Sequence, residues 1–213
     1  MGTPRSCRLT TADGVSLGAE IVVPDDPMVA LVVCHPHPQY GGDMHAPVSA
    51  AMFRWAAAND AAAIRFDFRG AGSSGGIHGG GEPERLDVLA ALDAVQDEVG
   101  EVPLVLAGWS FGADVALSID RPEVAGWCCV AAPLKFTEPE VARTATRGRP
   151  VLFCVPEHDQ IRPPADLAPV LQGWDGAEAV TIGQADHFLA GKVHEVVEHL
   201  DRFCRRLSSA DAP

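Results

Sequence analysis

From about residue 28 onward, apolar and polar positions along the chain switch repeatedly between two periods. Short unbroken apolar runs, the pattern of strands buried on both faces, lie at 29–34, 62–68, 102–107, 127–131, 151–155 and 179–182. Between them, residues 47–58, 84–98, 111–119 and 193–207 carry apolar positions at helical spacing. Ahead of this alternation, 5–10 and 15–23 read as a hairpin closed by the turn residues Asp13-Gly14. Strands alternating with helices predict an α/β fold, a doubly wound and mostly parallel sheet with helices on both faces. Between Val130 and Pro150 there is no helical insertion long enough for a cap domain. Ligands gather at the carboxyl ends of such strands, so chemistry is expected in the loops after Cys34, Ala107, Val155 and Ile182.

Composition narrows the classes without changing this picture. The 213 residues fit one domain, with an ordered core over about 5–207 and a short, polar, frayed C-terminal tail. Apolar residues make up 47% and charged residues 21%, which excludes a disordered chain. The net charge of −13 and the lack of a basic patch argue against nucleic acid and anionic membranes as partners. No signal-peptide core opens the chain and no apolar run is long enough to span a bilayer, so a soluble, cytoplasmic protein is expected. A homodimer is left open. The six cysteines show neither C-x-x-C nor zinc spacing. Cys34, Cys128, Cys129 and Cys154 sit in apolar runs, where a free thiol acts as a small hydrophobe.

The loop after Ala107 reads Gly108-Trp109-Ser110-Phe111-Gly112, the G-x-S-x-G pattern. A turn this sharp between strand and helix leaves no room for side chains two residues either side of the serine. It thrusts Ser110 out in a strained backbone conformation. The amide of Phe111, at the start of the following helix, would face a developing oxyanion. A serine needs a histidine to take its proton and an acid to orient that histidine. His187, in the loop after the last strand, is the best base, because His194 and His199 ride the final helix. Asp159 lies just past a strand end and is the preferred acid, with Glu157 and Asp186 as alternatives. The second oxyanion donor should come from the loop after Cys34, where the amides of His37, Gln39 and Tyr40 are candidates. The rings of His35 and His37 read as hydrogen-bonded scaffold of that loop rather than as proton carriers.

G-W-S-F-G, the H-P-H-P-x-x-G-G stretch at 35–42, D-F-R-G-x-G-x-S at 67–74 and A-D-H-F at 185–188 together resemble the small, lidless α/β-hydrolases, near the dienelactone-hydrolase-like serine hydrolases. The resemblance covers about residues 5–205 and implies the α/β-hydrolase fold without a cap. It implies a triad of Ser110, Asp159 and His187 and an oxyanion hole from Phe111 and His37. Position 36 is proline where the family pattern has glycine, which leaves the second donor open between His37 and Tyr40. Dienelactone hydrolase itself uses a cysteine nucleophile, so its substrate does not carry over.

The function expected is cleavage of a small carboxylic ester or thioester through an acyl-enzyme, with no cofactor and no metal. A non-catalytic binding protein on the same fold, or an amidase or peptidase using the same triad, are the alternatives. Gly70-x-Gly72-x-x-Gly75 spells a dinucleotide fingerprint, but glycines continue to Gly81 and no helix opens on the third. His194 and His199 are five residues apart, about 140° round a helix, and do not make the zinc pair of H-E-x-x-H.

Overall fold

In the computed structural model, which describes residues 2–210, the N-terminal hairpin forms as expected. β1 (Arg5–Thr10) pairs antiparallel with β2 (Ser16–Val22), with Thr10 opposite Ser16. β2 in turn lies antiparallel against β4 (Ala62–Phe66). From β3 (Ala30–Cys34) the rest of the sheet is parallel, through β5 (Leu104–Trp109), β6 (Val124–Val130), β7 (Val151–His158) and β8 (Ala177–Asp186). The order across the sheet is β1-β2-β4-β3-β5-β6-β7-β8.

The apolar runs are explained by burial on both faces. In β3, Val32 and Cys34 face one core while Leu31 and Val33 face the other; in β5, Leu104 and Leu106 oppose Val105 and Ala107. The first core is closed by α2 (Glu84–Val99) and α3 (Phe111–Leu117), through residues such as Leu92 and Val115. The second is closed by α1 (Pro47–Ala58) and α6 (Val193–Ala210), through Met52 and Leu200. All six cysteines are free thiols, and every one but Cys7 is buried. No described helix is long and apolar enough to cross a membrane.

Several boundaries differ from the sequence pattern. Two short helices, α4 (Pro139–Thr146) and α5 (Pro164–Leu171), occupy stretches expected to be loop. α4 buries Ala142 and Ala145 beside α3 and forms no cap over the sheet. β7 continues to His158, so Glu157 belongs to a strand end rather than to a loop. The last helix runs on to Ala210, which corrects the frayed tail expected for 208–210; the remaining tail lies outside the described residues.

Candidate active site

Ser110 sits between β5 and α3 with φ +54° and ψ −118°, in the left-handed half of the map that non-glycine residues rarely enter. The glycines that flank it are required by contact. A Cβ on Gly108 would lie 2.5 Å from the backbone of Gly112 and Ala113. One on Gly112 would lie 2.5 Å from the carbonyl oxygens of both Cys34 and His35. The clash at the second glycine is therefore with the end of β3, not with the opposite side of the turn. Ser110 is held from behind by its amide, which donates to the Val130 carbonyl at 2.8 Å.

The loop after β8 brings His187 to the serine. His187 Nε2 is 3.0 Å from Ser110 Oγ, and Nδ1 is 2.9 and 3.1 Å from the two carboxylate oxygens of Asp159. All three side chains are buried. Trp109 Nε1 donates to the His187 carbonyl at 3.3 Å, and Gln160 Oε1 accepts the His187 amide at the same distance. Asp159 Oδ1 also accepts the amides of Ile161 and Arg162, which fixes the carboxylate independently of the histidine. Burial alone would raise the Asp159 pKa, but the hydrogen bond from His187 and those two amides outweigh it and hold the carboxyl below its ordinary value. Neither alternative acid reaches the ring in this way. Glu157 accepts the Gln184 amide at 2.7 Å and Asp186 accepts that of Phe188 at 3.0 Å.

The loop after β3 is rigid for a different reason. His35 is fully buried, with Nδ1 donating to the Pro36 carbonyl at 2.6 Å and Nε2 accepting the Phe68 amide at 2.9 Å. Burial pushes its pKa down to about 4, so the ring is neutral scaffold. Residues Pro38–Tyr40 form a single 3-10 turn in which the Tyr40 amide donates to the His37 carbonyl at 3.1 Å. That removes Tyr40 as an oxyanion donor, and Gln39 is likewise engaged, its amide donating to His37 Nδ1 at 3.2 Å. The sequence held the signal: Pro38 occupies the second position of a turn beginning at His37, which commits the amide of the fourth residue. The His37 amide has no partner among the described residues, and Phe111, opening α3, has no carbonyl four residues back within its helix. The two side chains pack together with ring centroids 5.0 Å apart. His78 packs on both, at 4.6 Å from His37 and 5.2 Å from Phe111. Its Nδ1 lies 2.9 Å from buried Glu84 Oε1 but out of line for a hydrogen bond.

The D-F-R-G-x-G-x-S stretch proves to be structural. Asp67 accepts the amides of Met44 and Ser73, tying two loops together. Buried Arg69 is held by Asp87 at 2.7 Å and Asp13 at 2.8 Å, the acidic partnership its position suggests. No helix opens at Gly75; α2 begins at Glu84.

Ser110 and His187 open on a cleft of about 650 Å³ walled by Pro36, Trp109, Pro133, Phe136, Ile161 and Phe188, among others. Tyr40 and Phe188, 88% and 66% exposed, stand at its rim. Nothing roofs it. No group of three or more His, Cys, Asp or Glu able to hold a metal is found among the described residues.

No family model matches the chain. The uncharacterized protein RP471 of Rickettsia prowazekii (strain Madrid E) is 34% identical over 119 residues, which is 54% of this chain and 49% of that protein; the match thus spans about half of the relative's length. Among solved structures, an alpha-beta serine hydrolase homologue from Coxiella burnetii is 28% identical, covers 93% of this chain and 96% of its own, and superposes with a TM-score of 0.82. XC6422 from Xanthomonas campestris, an a/b serine hydrolase without lid, is 24% identical with coverage of 95% and 94% and a TM-score of 0.82. The Pyrococcus furiosus esterase Pf2001 is 17% identical, with coverage of 97% and 93% and again a TM-score of 0.82. With its eight-stranded, mostly parallel sheet and no cap, the chain has the α/β-hydrolase fold, and its structural neighbours are α/β serine hydrolase homologues.

Proposed function

We propose that this protein is a serine hydrolase cleaving a small carboxylic ester or thioester through an acyl-enzyme, of the dienelactone-hydrolase-like kind its four motifs resemble. The observation that carries this reading is His187, bound at one ring nitrogen to Asp159 and at the other to Ser110 in an open apolar cleft. Neutral His187, its Nδ1–H directed at Asp159, takes the Ser110 proton at Nε2 as Oγ attacks the carbonyl carbon. The oxyanion so formed is stabilised by the amides of Phe111 and His37. The imidazolium then returns the proton to the leaving alcohol or thiol, and water repeats the cycle to free the acid. Asp159, already ionised through its low pKa, holds the tautomer and balances the transient positive charge. Small, water-soluble esters suit a cleft without a roof, and no activation at lipid interfaces is expected.

Incubation with a fluorophosphonate, followed by turnover of p-nitrophenyl esters and thioesters of graded chain length, tests the reading. Stoichiometric labelling at Ser110, absent from Ser110→Ala, together with ester turnover, is expected. A folded protein that neither labels nor turns over any ester would instead be a binding protein on a hydrolase fold.

A further inference from the structure

The cleft differs sharply in charge from the chain that forms it. Acidic residues outnumber basic ones by 29 to 16, yet none of the residues lining the cleft is Asp or Glu. The one lining residue with a permanent charge is Lys135. It is one of only two lysines in the sequence. The other, Lys192, pairs with Glu195 at 2.7 Å, whereas Lys135 makes no ion pair among the described residues although its side chain is exposed. In so acidic a protein, an unpaired cation at the mouth of a cleft free of carboxylates is a charge left available for a ligand.

The backbone beneath Lys135 is also fixed. Asp114, fully buried and one helical turn past Ser110, accepts the amides of Leu134, Lys135 and Phe136 at 2.8, 2.7 and 3.0 Å. Thr137 Oγ1 donates to the Asp114 carbonyl at 2.7 Å, and Arg162 Nε to that of Pro133 at 3.0 Å. Ala131 and Leu134 are held at φ +49° and +50° within this loop. The segment carrying the lysine is thus bolted to the helix that follows the nucleophile. Only the flexible stem of Lys135 remains to be ordered when a ligand arrives.

We propose that Lys135 makes the cleft selective for anionic esters, those bearing a carboxylate that the ammonium meets while the scissile carbonyl lies at Ser110. The proposal rests on the reading of Ser110 as nucleophile. A single exposed ammonium gives a modest preference, on the order of twofold to fivefold, weakened by salt.

The test compares two matched pairs of esters. Mono-p-nitrophenyl adipate against p-nitrophenyl hexanoate places the carboxylate on the acyl side, and 4-acetoxybenzoate against phenyl acetate places it on the alcohol side. The readout is the anionic-to-neutral ratio of kcat/KM, each corrected for the ester's own alkaline reactivity. Because the ratio is taken within one preparation, any loss of folded enzyme cancels. In one of the pairs the wild-type ratio is expected to exceed one, to fall about twofold to fivefold in Lys135→Met, to survive in Lys135→Arg and to fall further in Lys135→Glu. It should also shrink as salt rises from about 0.05 to about 0.5 M. Ratios that are the same in wild type and Lys135→Met for both pairs would overturn the proposal while leaving the hydrolase standing. Failure of Ser110 to label or to turn over any ester would remove the hydrolase reading, and this proposal with it.

Discussion

His35 and His187 are both buried, at 0% and 6% exposure, and both follow a strand at the carboxyl end of the same sheet. His35 is bound at each ring nitrogen by main chain, to Pro36 and Phe68. His187 is bound at one nitrogen by a carboxylate and at the other by a hydroxyl that faces a cleft. A carbonyl and an amide cannot exchange protons with the ring near neutrality, so His35 can only hold two loops together, and burial keeps it uncharged. A carboxylate can balance an imidazolium and a serine can surrender its proton, so in the proposed reaction the same side chain serves as a base. Burial and position are shared; the chemistry of the two partners divides structure from function.

The sharpest way to break this contrast is to exchange what each histidine loses. Ser110→Ala and His187→Ala should each lower ester kcat/KM by about three orders of magnitude or more, and Asp159→Asn by about two or more, without the losses adding in the double variants. The unfolding midpoint in urea should move little in His187→Ala, because Asp159 keeps the amides of Ile161 and Arg162. His35→Phe should do the opposite. It leaves the Phe68 amide unpaired in the core and takes the donor from the half-buried Pro36 carbonyl, a cost of about 1–3 kcal/mol on denaturation. The labelling rate at Ser110 in the folded fraction should fall far less than in His187→Ala. If His35→Phe instead lost activity as completely as His187→Ala while folding normally, the division between the two histidines would be wrong.

A third buried titratable group sharpens the contrast through pH. Burial pushes the Asp114 pKa up to about 6, against the amides that partly offset it. Its folded pKa thus lies above its ordinary one, so the folded chain retains a proton the unfolded chain has lost. The group's contribution to stability should fall as pH rises from about 4 to about 6 and then level off. Asp114→Asn removes this titration. The difference in unfolding free energy, wild type minus variant, should therefore decrease by about 3 kcal/mol across that window. A difference that grows with pH would contradict the raised value. The smallest effect is expected for Tyr40→Ala, whose amide serves only the 3-10 turn and whose ring stands in water. Labelling at Ser110 should stay within about threefold of wild type. Because the variant keeps the amide, a loss comparable to that of a missing oxyanion donor would assign a role to the phenol ring instead.

The sheet could be read from sequence because its strands are buried on both faces, and unbroken runs such as Ala30–Cys34 have no helical counterpart of that length. α1 could be read to its ends, with Pro47 at its first turn. β8 was visible only in its middle, for it is an edge strand whose residues are mostly exposed or half-buried and so show no long apolar run. α4 and α5 escaped because each is two turns long and opens on proline, and α5 also contains Pro169; such segments look like loop until tertiary packing on Ala142 and Leu167 holds them. Ser110, Asp159 and His187 were each visible because all three follow strands, where this class of sheet places its ligands. Asp114 gave no signal. An acid inside a short apolar helix reveals nothing of the loop, twenty residues further on, whose amides it gathers.

The missing side chain of Gly112 has one more consequence. The second residue of α3 and the last residues leading out of β3 touch through main chain, with two carbonyl oxygens occupying the place a Cβ would need. The gap between the amides of Phe111 and His37 is therefore set by backbone against backbone, with no side chain between α3 and that strand end to act as a shim. Substitutions at Tyr40, Ile161, Phe188 or Lys135 can redraw the mouth of the cleft, while the spacing of the two amides lies beyond their reach. Descendants of this chain can change what they admit far more readily than how they would hold a charged oxygen.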